Sequence, residues 1–324
     1  MVGAVEDELA RVLFRQVGLG EPLTIEPFGA ASNTHLLLTA AGGKRCVFRL
    51  FTESKPHSAV ERMQRERWVL ELLASRGVPV PKVLAFSEKQ NKVALLLSFV
   101  DGAELGTVAA WLDPVEAEAA WWSAGAAFAD CHRIDAASAA AAGCEQVGIR
   151  QPTRSRGPWH QAEAIAHLDA LAVARPDIAA LADFHGMVDA ATPLYERAPL
   201  VLCQYDAHLW QFRVTRGESG WRCTGLLDWE HADLDDPDWD LAQLDGFRWT
   251  LVGSVPDAFF AGYGRRPSSP LYGLYRLERA AWILVEWARG AQWLEMSVPH
   301  AERFLRAFAA DEGGFRRGIA RSLA

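Results

Sequence analysis

Two short apolar runs in this chain each deliver an aspartate. The run 200–203 leads into "QYDAHLWQF", which carries Asp206, and the later stretch "TGLLDWEHADLDDPDWDLAQLD" places Asp228 at the end of its own apolar run. A carboxylate in such a place needs a partner. Two of them close together repel unless a cation lies between them. Magnesium is the natural solution in a cysteine-poor site, because it takes hard oxygen ligands. Taken singly, each acid also reads as the cap of a turn or helix.

The surrounding pattern divides the chain. Before residue 100, short strand-like runs at 34–39, 45–51, 83–86 and 93–99 surround one strong helix at 58–75. An amphipathic helix with Val5, Leu9, Val12 and Leu13 on one face precedes them. The segment 100–106, "VDGAELG", reads as a linker. Beyond it the pattern is mainly helical: 113–132, 161–174, 177–191, 239–247, 256–263, 271–296 and 299–310, with 136–160 as a loop. Strands at 200–203, 212–215 and 222–227 carry the two acids. The fold class is therefore α+β and two-lobed. A small N-terminal antiparallel-sheet lobe with one main helix (1–101) adjoins a larger, mainly helical C-terminal lobe (102–324). A cleft between lobes is the default ligand site.

Composition narrows the partners. A formal net charge of −8 argues against nucleic acid, whose phosphates are held by concentrated Lys and Arg. The apolar runs are too short to span a membrane. The acidic, amphipathic start lacks the form of a signal peptide. Five cysteines with no C-x-x-C read as reduced thiols of a cytoplasmic protein.

Three further features accompany the acids. Arg49 interrupts the apolar strand "CVFRLF", either as an inward-facing cation or as an edge-strand arginine in water. Glu66 shares a helical stripe with Met63, Leu70 and Leu73, so it lies on the apolar face and needs a cation. Arg49 on the adjacent strand is one candidate, with Arg62 and Arg65 as alternatives. The turn "FGAASNTH" (28–35) can aim backbone N–H groups at phosphates, or be a plain hairpin.

Together these features resemble the aminoglycoside phosphotransferase and choline kinase-like family, of the protein-kinase-like fold. The family's catalytic loop, H-G-D-x-H-x-x-N, appears as "QYDAHLWQ", and its metal-binding I-D-W-E as "LLDWE". Its D-P-x-x-D-L-A is intact from Asp236 to Ala242. The resemblance implies that Asp206 orients the acceptor hydroxyl and takes its proton. It implies that Asp228 and Gln211 hold magnesium, and that Arg49, fixed by Glu66, reaches the phosphates of ATP or GTP. Ser32 and Asn33 fall in the nucleotide loop, Ser98 and Val100 in the hinge beside the base, and Asp240 under the catalytic-loop backbone. Positioning and charge neutralisation dominate this chemistry.

Three positions depart from the family: Gln204 for histidine, Tyr205 for glycine and Gln211 for asparagine. The last moves an amide by roughly one C–C bond. On the acceptor side stand His208, Glu230, His231, Trp282 and Glu286, where aromatic faces suit hydroxylated rings, although helical tryptophans also serve cores. The expected activity is transfer of a γ-phosphoryl group to a hydroxyl of a small natural product, an antibiotic in the leading case. A choline, homoserine or sugar kinase and a ligand-binding pseudokinase are the alternatives. The chain is expected to act as a monomer or homodimer.

Overall fold

The computed structural model describes residues 4–29, 33–53, 57–89, 92–149, 157–246, 255–267 and 269–323. Helix α1 (Ala4–Gln16) precedes strands β1 (Pro22–Pro27), β2 (Thr34–Ala40) and β3 (Arg45–Phe51). Helix α2 (Ala59–Ser75) and strands β4 (Val83–Lys89) and β5 (Lys92–Ser98) follow. The five strands form one antiparallel sheet in the order β1-β2-β3-β5-β4.

Strand alternation decides where Arg49 goes. Successive side chains point to opposite faces. Cys46 and Phe48 therefore pack with Ala94 and Leu96 against α1, beside Leu13 and Phe14. Phe51, Val93, Leu95 and Leu97 pack on the other face, against Met63, Leu70 and Leu73 of α2. Arg49 shares the register of Phe51, so it looks toward α2 from the middle of the sheet and is 4% exposed. The solvent-facing edge alternative does not apply, because β3 pairs on both sides. Helix α2 starts with a capping box between Ser58 and Glu61, which fixes its first turn.

The rest of the chain begins with β6 (Ala103–Glu104), α3 (Leu105–Val108), α4 (Pro114–Cys131) and α5 (Ala136–Ala141). Helices α6 (Gly157–Ala174), α7 (Pro176–Ala179) and α8 (Phe184–Tyr195) lead to β7 (Val201–Cys203), β8 (Phe212–Gly217), β9 (Gly220–Leu226) and β10 (Asp233–Asp235). Helices α9 (Pro237–Gly246), α10 (Asp257–Tyr263), α11 (Pro270–Ala288), α12 (Val298–Ala310) and α13 (Glu312–Leu323) complete it. Strands β6, β8 and β9 form one small sheet, and β7 pairs with β10 in another. Among the described residues, no helix is long and apolar enough to cross a membrane.

Three local readings change. The segment expected as a loop contains α5, because Asp135 caps it by accepting from the Ser138 N–H at 2.8 Å. The long helix expected to reach 296 stops at Ala288, and Gly290 turns the chain at φ 99°. The expected helix at 177–191 is two pieces, α7 and α8, the second capped by Asp183.

Helices α4 and α10 cross at glycines. A Cβ at Gly125 would lie 2.0 Å from the Phe259 carbonyl oxygen, and one at Gly262 would lie 1.9 Å from that of Trp122. This close approach brings Tyr263 to His132, with a 2.6 Å bond between Oη and Nδ1. His132 Nε2 in turn lies 3.2 Å from Asp240.

Candidate active site

The loop after β7 is held from beneath by Asp240, which is fully buried. Its carboxylate accepts from the Gln204 N–H at 2.6 Å and the Tyr205 N–H at 2.9 Å. Gln204, standing where the family pattern has histidine, donates its side-chain amide to the carbonyls of Leu227 and Asp228. One side chain thus ties the loop of Asp206 to the strand end of Asp228. Among the described residues, Tyr205 (φ 69°) and Asp228 (φ 63°) are the only non-glycines in the left-handed region. Both turns are held by tertiary contacts rather than by local preference.

Asp206 lies 3.9 Å from His208 Nε2. Burial, then the charge of Asp228, pushes the Asp206 carboxyl up to about 7. It can therefore take or release a proton near neutrality. Burial holds His208 at about 4, so its ring is neutral. The ring accepts from Gln211 Nε2 at 2.9 Å, and the same amide lies 3.3 Å from Asp228 Oδ2.

Arg49 is the centre of the charges. Its guanidinium reaches Glu66 at 2.8 Å, Asp228 at 2.7 Å and Glu230 at 3.0 Å. Burial opposes its charge, but the three carboxylates outweigh burial and keep it cationic. The Arg49 cation holds Asp228 well below the ordinary carboxylate range, against its own burial. Glu66 goes the other way, because burial raises it to about 8. Asp228 and Gln211 offer a carboxylate and an amide with no thiolate. This donor set fits a hard cation such as magnesium.

Glu230 stands apart from the place expected for it. Rather than facing an acceptor, it is buried under the N-terminal sheet. It accepts from Asn33 Nδ2 at 3.1 and 3.0 Å, Arg62 at 2.6 Å and Arg49. Arg62 also donates to the Thr52 carbonyl. Glu230 thus binds the nucleotide-loop side of the sheet to the strand end of Asp228. Glu230→Gln is expected to cost about 2 kcal/mol, because one amide cannot satisfy two arginines and Asn33. Thermal unfolding should then show a Tm fall of roughly 5 °C; an unchanged Tm would remove Glu230 from this role.

The remaining expected residues scatter. Ser32 lies outside the described residues. At the end of β5, the Ser98 hydroxyl accepts from the Lys82 N–H at 2.9 Å. Val100 packs against Gly225 of β9. Next to it Phe99 lies 5.9 Å from Phe28, ring to ring. His231 is part-exposed, 3.6 Å from Glu230. Trp282 lies on α11, 6.0 Å from Trp293. Glu286, on the same helix, is paired with Arg289 at 2.7 Å.

Sequence reasoning places Arg62 only as an alternative partner of Glu66, whereas it pairs with Glu230 at 2.6 Å, and it misses Arg279. Arg279 lies three residues before Trp282, with its guanidinium 4.7 Å from that ring, and its charge acts on both Asp206 and His208. Nothing local in the sequence marks it.

A buried strand cation, a helix glutamate fixing it, and two strand-end aspartates now stand together. The chain matches the model of the phosphotransferase enzyme family over residues 24–277. It belongs to that family. Solved structures carry the same protein-kinase-like architecture. A mutant of aminoglycoside 2'-phosphotransferase-IIIa in complex with GDP is 17% identical, with a TM-score of 0.64 over 95% of this chain and 99% of that one. Macrolide 2'-phosphotransferase MphH from Brachybacterium faecium is 22% identical, with a TM-score of 0.57 over 93% and 97%. An aminoglycoside phosphotransferase from Streptomyces rimosus, in complex with ADP and streptomycin, is 19% identical, with a TM-score of 0.52 over 86% and 98%. No curated protein matches the sequence. By family, this chain is a phosphotransferase.

Proposed function

We propose that this phosphotransferase moves the γ-phosphoryl group of ATP or GTP to a hydroxyl of a small natural product, an antibiotic that it inactivates. Residues 1–101 form the nucleotide lobe, and 102–324 carry the catalytic loop and acceptor pocket. The observation that carries this reading is the chain Glu66–Arg49–Asp228, closed at 2.8 and 2.7 Å across the two halves of the molecule. It supports the reading by bringing a buried cation of a kind suited to phosphate and a carboxylate of a kind suited to a hard metal ion to one point.

Asp206 orients the acceptor hydroxyl and takes its proton. Arg49 meets the α- and β-phosphates, and Glu66 keeps its guanidinium aimed. A planar fork is suited to that contact. Asp228 and Gln211 would hold magnesium, which when bound supplies charge neutralisation at the phosphates. The neutral His208 keeps Gln211 oriented.

The acids near the site narrow the acceptor. Asp238 is paired with Arg265 at 2.6 Å, Asp245 with Arg276 at 2.9 Å, and Glu286 with Arg289. Glu230 is held by two arginines. The Arg279 charge acts on Asp206. A polycation would find these carboxylates engaged, whereas a neutral hydroxylated ring could stack on Trp282.

The test is a panel of macrolides, aminoglycosides, sugars, choline and homoserine, each incubated with magnesium and either nucleotide. A product heavier by about 80 daltons identifies the acceptor. The expected order places neutral or monocationic ring acceptors ahead of polycations. Transfer confined to choline, homoserine or a sugar would favour a metabolic kinase. Magnesium-dependent nucleotide binding with no product would favour a ligand-binding protein without transfer.

A further inference from the structure

Tyr205 occupies a position that costs a tyrosine conformational energy. At φ 69° its backbone is left-handed, a region glycine enters freely and a side chain with Cβ does not. The residue is also the immediate neighbour of Asp206. Its ring runs away from the catalytic loop toward Trp239, 5.7 Å between centroids. Its hydroxyl donates to Asp235 Oδ2.

Asp235 is a built anchor. It is 1% exposed and ends β10, which pairs with β7, the strand that leads into the catalytic loop. Its Oδ1 accepts from His160 Nε2 at 2.9 Å and from the Asp236 N–H at 2.8 Å. His160 is equally buried, and its ring stacks on Tyr195 at 5.2 Å and 16°. Both ends of the Tyr205 phenol contact are therefore fixed by packed elements. Asp240 grips the loop through the backbone N–H groups of Gln204 and Tyr205, and Asp235 grips it through the Tyr205 side chain.

We propose that Tyr205, Asp235 and His160 form a side-chain strut that holds the loop of Asp206 in its working conformation, with Tyr205 as a positioning residue for phosphoryl transfer. The strut does what a glycine would do by freedom alone. It keeps residue 205 left-handed, so that the chain reverses and Asp206 leaves the loop on the acceptor side. The effect on transfer rests on the function proposed above; the effect on the loop does not.

The test compares Tyr205→Phe, which loses only the hydroxyl, with Tyr205→Gly, which loses the ring but adopts the backbone without strain. Amide hydrogen exchange across residues 203–208 and nucleotide turnover with magnesium, water being the acceptor, are both read. In Tyr205→Phe the loop amides should exchange about tenfold faster while those of α4 are unchanged. Turnover should fall about 10- to 100-fold at an unchanged KM for nucleotide. Tyr205→Gly should be less stable than Tyr205→Phe yet turn over faster, which a packing role alone does not allow. If Tyr205→Gly does not fold, Asp235→Asn replaces it, with faster exchange expected at the same amides. Unchanged loop exchange in Tyr205→Phe would overturn the strut, as would turnover that follows the order of stability. If the wild-type protein turns over neither ATP nor GTP with water, the exchange data alone decide the strut, and the acceptor panel alone decides the functional reading.

Discussion

Asp206→Asn is expected to lower phosphoryl transfer by about 10³-fold, to leave nucleotide binding intact, and to raise stability above neutral pH. Asparagine keeps the shape of the side chain but cannot take the hydroxyl proton. Its stability effect follows from the raised carboxyl. An unfolded aspartate ionises near about 3.9, whereas Asp206 in the folded protein ionises at about 7. Below both values the group is protonated in either state and contributes no difference. Between them the folded protein holds a proton that the unfolded chain releases, so stability falls as pH rises through this window. Above about 7 the full penalty is present. The side chain is 38% exposed, so solvent screening reduces the upward shift and the penalty together; about 1 kcal/mol is expected, lost over the lower part of this window. Asp206→Asn should therefore melt roughly 3 °C higher at pH 8 and no higher at pH 4. Retained turnover would end the assignment of Asp206 as base. A lower Tm at pH 8 would show that Asp206 supports the fold instead of straining it.

How much of this was legible in the sequence depends on the range of each signal. Glu66 is placed by periodicity, because the stripe on α2 is local and repeats several times. Arg49 stays open in the sequence between an inward cation and an edge-strand arginine, since the pairing of β3 on both sides is set by distant strands. Asp206, Asp228 and Asp240 are placed by motif. Glu230 was misplaced because its partners, Asn33 and Arg62, lie 197 and 168 residues away in the chain. No periodicity reports such a contact. Strand β10 has three residues and shows no alternation, so the anchor Asp235 was invisible as part of a sheet. In the sequence Tyr205 is only a departure from the family's glycine. Only its backbone angle reveals that it occupies the glycine conformation. The loop reading of 136–160 failed for a related reason: an alanine run reads as helix or as spacer until its Asp135 cap is recognised.

The second large effect is expected at Arg49→Met. Methionine approximates the aliphatic stem but removes the cation that Glu66, Asp228 and Glu230 share. Removing one partner of a buried ion pair costs about 3–5 kcal/mol. The lower end applies here, because Glu230 retains Arg62 and Asn33 and the Asp228 side chain is 29% exposed. A Tm fall of roughly 6–12 °C is the expected reading. The loss should also depend on pH. Glu66 is already raised to about 8 by burial, with Arg49 opposing the rise. Without Arg49 it rises further, so the variant keeps losing stability with increasing pH after the wild-type protein has stopped. The gap between the two should widen from pH 7 to pH 9, and adding Glu66→Gln should close most of that widening. Nucleotide affinity supplies the functional half. A charge-assisted hydrogen bond to phosphate contributes about 1.5–3 kcal/mol, so Kd for the magnesium–nucleotide complex should rise about 10- to 100-fold. Calorimetric titration at a pH where the variant is folded separates the two effects. A destabilised variant with unchanged nucleotide affinity would make Arg49 a structural cation that joins the halves of the molecule, and the phosphate contact would have to come from Arg62.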